Sequence, residues 1–90
     1  MKVKSFTTLT DTVTKTFNWL NLERAQSIAE IAKRHGAKVR RVAQQRGALG
    51  KTKVIVSVNA GSWVASNSII AKIVTEVQEA GLVNELTFQD

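Results

Sequence analysis

Cysteine, proline and tyrosine are all missing from this 90-residue chain, and histidine occurs once, as His35. Without cysteine, disulfides and thiolate metal sites are excluded, and a cytoplasmic setting is permitted. A zinc site on His35 would need carboxylates, and none lies close to it in sequence. His35 is also the only imidazole base, with nothing in the sequence to orient it toward a nucleophile, so no enzymatic activity, no metal and no cofactor is expected. Its place at the end of a helical pattern suits a residue of the last turn, where partial positive charge complements the dipole. No apolar run approaches the roughly 20 residues of a membrane span. Nor does the amino terminus, where Lys2 and Lys4 precede a threonine-rich stretch, resemble a secretory signal.

Negative charge is the most informative shortage. Between Glu30 and Glu76 there is no acidic residue, while Lys33, Arg34, Lys38, Arg40, Arg41, Arg46, Lys51, Lys53 and Lys72 lie between them. All seven carboxylates sit outside that zone. Such segregation favours a polyanionic partner, nucleic acid first. The competing reading is a solvated surface whose cations keep the protein soluble and pair with Glu76, Glu79 or Glu85.

What is present reads as one globular α/β domain over residues 1–90, with 43% hydrophobic and 22% charged residues. At this size a chain folds alone with a margin of roughly 5 to 10 kcal/mol, so a homodimer would be a ready source of further burial. Residues 3–9 alternate loosely and are rich in β-branched side chains, which predicts a strand. Residues 10–18 fit two periods: Val13, Phe17 and Leu20 have helical spacing, whereas Val13, Phe17 and Trp19 have the spacing of a strand. From Asn21 onward Leu22, Ala25, Ile28, Ala29 and Ala32 form a helical stripe, capped by Asn21 and ended by Gly36.

Residues 51–60 predict a strand with Val54, Val56 and Val58 on a packed face and Lys53, Ile55, Ser57 and Asn59 on the other. A second helix, capped by Ser66 or Asn67, presents Ile69, Ile70, Ile73, Val74 and Val77, with Gly81 beyond its end. Leu82, Leu86 and Phe88 share a face across residues 82–88, which predicts a closing strand.

Residues 37–46 have two readings. As a strand joined through residues 47–50 to the next one, they give the order β-α-β-β-α-β, the split βαβ or ferredoxin-like arrangement of an antiparallel sheet with two helices on one face. As a helix they would complete a helix-turn-helix across residues 22–46, with Val39, Val42 and Ala43 inward and Arg40, Arg41 and Gln44 reading bases. Ile31-Ala32, Gly36 and Val42 are similar to that motif, but polar His35 and Gln45 occupy positions where it has apolar residues.

Short motifs add little. Gly47-Ala48-Leu49-Gly50 resembles the GxxG loop of KH domains, yet it leads into a strand and fits a hairpin connection better. Gly50-Lys51-Thr52 resembles the end of a P-loop, but Gln45 stands where that loop's first glycine belongs and a strand follows. The predicted third strand carries no aromatic residue, which excludes an RRM. Trp63 is a candidate for stacking on a base, against the alternative that it covers the core, and Trp19 is expected to be buried.

The expected interface therefore comprises Arg40, Arg41, Arg46, Lys51 and Lys53, flanked by Lys33, Arg34 and Lys38, acting on the phosphates of DNA or RNA. A strand rise of about 3.3 Å per residue is commensurate with the spacing of phosphate charges. The alternative from another class is a homodimeric interaction or inhibitor module whose basic face docks on an acidic protein. Exposed Ile55 beside Trp63 is the expected seed of the dimer.

Overall fold

A computed structural model of the protein describes residues 11–45, 51–84 and 87–88. Its elements run β1 (Thr12–Leu20), α1 (Leu22–Arg34), β2 (Lys38–Gln45), β3 (Lys51–Asn59) and α2 (Trp63–Glu79). β3 lies between the other two strands and pairs antiparallel with both, in the order β1-β3-β2. Both helices pack on one side of this sheet: α1 over β3 and β2, α2 over β1 and β3.

The centre of that arrangement follows from the valine alternation. Val54, Val56 and Val58 are buried against Ile28, Ile31, Ile70, Ile73 and Val77 of the helices. Full burial of each such side chain contributes about 1.5–3 kcal/mol. The intervening residues Lys53, Ile55, Ser57 and Asn59 face the uncovered side of the sheet, as the alternation predicts.

The helix ends are built locally. The Asn21 side chain accepts from the Arg24 N–H at 2.8 Å. At the other end of α1, Gly36 adopts φ 81, its N–H reaches the Lys33 carbonyl, and the Ala37 N–H reaches that of Ala32. α2 ends the same way, with Gly81 at φ 70 and Leu82 donating to the Val77 carbonyl. These are Schellman closures, whose left-handed residue is cheapest as glycine.

Several expectations are corrected. Residues 38–45 are strand, because Gly36 turns the chain out of α1 and β3 supplies a pairing partner from Lys38 through Gln45; the helix-turn-helix alternative is thereby removed. The order among the described residues is β-α-β-β-α, without the closing strand. There, the Thr87 N–H bends back to the Asn84 carbonyl and the Asn84 N–H to the Thr87 hydroxyl, and a ladder-like bond runs from the Asn18 N–H to the Thr87 carbonyl. The strand predicted at residues 3–9 lies outside the described residues.

The α2 cap is Ser62, whose side chain accepts from the Ala65 N–H. The helix therefore starts one turn earlier than the Ser66 or Asn67 cap predicts. Leu22, placed on the packed stripe by its spacing, is 60% exposed.

Candidate nucleic-acid interface

Register sorts the cations of the sheet. Val13, Lys15 and Phe17 of β1 stand opposite Val58, Val56 and Val54, and Val39 and Arg41 of β2 stand opposite Val56 and Val54, so all of these lie on the helix side. Lys38 opposite Ser57 and Arg40 opposite Ile55 lie on the uncovered side with Lys53, and β3 alternation puts Lys51 there too. Thr12, Thr14 and Thr16 complete that face from β1.

The uncovered face is consequently cationic and hydroxyl-rich. Lys38 and Arg40 are exposed beside a shallow depression of about 390 Å³ lined also by Thr14, Val39, Ile55 and Ser57. Across the strands, Thr14 and Ser57 hydroxyls stand 3.2 Å apart, and the Asn59 amide donates to the Thr12 hydroxyl at 3.1 Å. None of the three strands contains a carboxylate. Glu23, Glu30, Glu76 and Glu79 all sit on the two helices behind them.

The remaining residues of the expected interface divide differently. Lys33 and Arg34 end α1 in the helix layer, where Arg34 is committed to Glu76 at 2.7 Å. Arg41, on the helix side of the edge strand, lines grooves against α1 rather than the uncovered face. Arg46, with the loop of residues 47–50, lies outside the described residues. Lys38, Arg40, Lys51 and Lys53 are the ones brought onto one surface.

Trp63 is half exposed at the first position of α2, so it does not cover the core. It lies beyond the Asn59 end of β3, while Ile55 sits mid-sheet between Thr16 and Arg40. Four residues of strand, about 13 Å, separate Ile55 from that end, and the apolar pair expected to seed a dimer is not one surface. Trp19 is partly exposed rather than buried.

Two arrangements were not visible in the sequence. His35 caps α1 and sets its ring nitrogen 3.0 Å from the Glu76 carboxylate that also holds Arg34. The His35 hydrogen bond is the main reason that Glu76 titrates below its ordinary value of 4.5; burial opposes the shift, and Arg34 reinforces it by charge and by its own bond. The second is Gln44, which reaches across β3: its carbonyl accepts from the Trp19 N–H at 2.6 Å and its amide donates to Asn18 at 3.2 Å. That clamp fixes a bulge where β1 changes register between Phe17 and Leu20, with Trp19 at φ 59.

Among the described residues no cluster of histidine and carboxylates suits a metal ion, and no helix is long and apolar enough to cross a membrane. No protein family, curated protein or solved structure matches the chain.

Proposed function

We propose that the protein binds nucleic acid, without catalysis, by laying the uncovered face of its sheet against the phosphate backbone. The observation that carries this reading is the company of Lys38, Arg40, Lys51 and Lys53: one face, hydroxyl and amide neighbours, and no carboxylate on any strand. Residues alternating on one face recur about every 6.6 Å, twice the 3.4 Å rise of a nucleic-acid strand, so successive cations can reach alternate phosphates. Threonine and serine hydroxyls and the Asn59 amide offer further hydrogen bonds to phosphate and sugar oxygens.

Among the described aromatic residues Phe17 is in the core and Trp63 opens α2, while Trp19 is partly exposed in the bulge opposite Lys53. Contacts to phosphate and sugar carry no base information, so binding is expected to be largely indifferent to sequence. Four phosphate contacts set the expected salt response. The slope of log affinity against log salt is about −3.6 for a duplex and about −2.8 for a single strand. Fluorescence anisotropy with labelled oligonucleotides across low to physiological salt measures it. A flat salt response, or no binding at low salt, would reject the proposal.

A further inference from the structure

β2 is an edge strand with an open side. β3 buries every second residue, whereas Arg40, Arg41, Val42 and Ala43 of β2 are all exposed in succession. Loss of alternation marks an edge that none of the described residues covers. β2 pairs only with β3 among the described residues, so alternate N–H and C=O groups along its eight residues point away from the sheet.

Beside that edge runs α1, and the space between them is grooved. One depression, about 360 Å³, is lined by Leu22, Gln26, Arg41, Val42, Ala43 and Thr52. The next, about 320 Å³, shares Gln26 and Arg41 and adds Ala29, Glu30 and Lys33. Leu22 at 60% and Val42 at 38% exposure are among the exposed large apolar side chains, and Val42, opposite Lys53, lies on the uncovered side of β2. The strand and groove together carry Lys33, Lys38, Arg40 and Arg41 against the single carboxylate of Glu30.

We propose that an extended acidic peptide adds to this edge as a further strand, a carboxylate meeting Arg41 on the helix side and the neighbouring apolar side chain resting against Val42 on the other side. Its backbone would supply both donors and acceptors to β2, the mode in which ladder hydrogen bonds give affinity and side-chain pockets give specificity. A phosphate backbone offers no donor to the outward carbonyls. A second copy of the chain would set Lys38, Arg40 and Arg41 against the same three residues, a like-charge pairing that disfavours self-addition. An acidic polypeptide satisfies both the ladder and the charge.

The probe is a capped peptide of valine alternating with glutamate, titrated into the isotope-labelled full chain without nucleic acid, so the outcome is independent of the uncovered-face reading. Expected are slowed exchange at alternate amides of β2 and about a tenfold loss of affinity in Arg41→Glu and in Val42→Glu. Lys72→Glu, on α2, makes the same change of charge and leaves affinity unaltered. Circular dichroism confirms that each variant is folded. Absence of binding at millimolar peptide overturns the proposal. So does equal binding of a proline-interrupted peptide of the same charge, or binding that leaves β2 amide exchange unchanged.

Discussion

Ser66 has no solvent exposure, and its hydroxyl joins three separate pieces of chain. It accepts from the Ala60 N–H at 2.8 Å and lies 2.7 Å from the Asp11 carbonyl and 2.8 Å from that of Ser62. In the sequence it reads as a helix cap; in the fold it ties the entry of β1 and the exit of β3 to the first turn of α2. Ser66→Ala leaves the Ala60 N–H without this acceptor, and the expected loss is about 1–3 kcal/mol in urea denaturation. A change within error would show that solvent replaces the hydroxyl. Glu76 is a second residue whose role depends on distant partners, Arg34 and His35. Because folding lowers its pKa, the unfolded chain binds the proton more tightly. Its contribution is present above the ordinary glutamate value and disappears as pH falls through the lower, folded one. Unfolding of the protein and of Glu76→Gln, compared from neutral pH down to about pH 3, should therefore converge on the acid side. A stability difference that is independent of pH would contradict this account of the pair.

At the scale of elements, the legible parts are those with a single clean period. β3 alternates Val54, Val56 and Val58 with polar residues, and α2 repeats Ile70, Ile73 and Val77; both were readable from spacing, and both are where spacing puts them. β1 was ambiguous for a physical reason. Its bulge sets Asn18 and Trp19 against Lys53 alone, so Phe17 and Leu20, three apart, both point into the core and imitate a helix. No local pattern reveals that, since the residue holding the bulge is Gln44 on another strand. Gln44→Ala should release the Trp19 amide, accelerating its hydrogen exchange by about tenfold or more; an unchanged rate would mean that the bulge is held by other contacts. The closing strand failed for the opposite reason. Leu82, Leu86 and Phe88 alternate correctly, but Asn84 and Thr87 capture each other's backbone groups in a turn, a competition in which short polar side chains often prevail. Phe88 nevertheless finds Phe17, their ring centroids 5.7 Å apart, with the Lys15 ammonium 4.6 Å from the Phe88 ring.

Across the whole molecule, the gap in acidic residues between Glu30 and Glu76 becomes a difference between layers. β2 and β3, two of the three strands, lie inside that gap, and the carboxylates that bound it are on the helices behind. The sequence made the charge asymmetry plain but not its partition, because period alone does not tell which side of β2 meets α1; Arg40 and Arg41 are neighbours in sequence and lie on opposite sides of the sheet. The most direct measurement of the central claim compares two double charge reversals. Arg40→Glu with Lys53→Glu alters the uncovered face, and Lys33→Glu with Lys72→Glu alters the helices; each takes the formal net charge from +6 to +2. Exposed reversals of this kind change stability by about 0.5 kcal/mol or less each, so both proteins should fold. Measured against one oligonucleotide over a range of salt, the sheet pair should lose nearly all affinity and about two contacts' worth of salt slope, while the helix pair keeps the slope of the original protein. Equal losses in the two proteins would mean that net charge alone attracts the ligand, and would contradict an interface on the uncovered face.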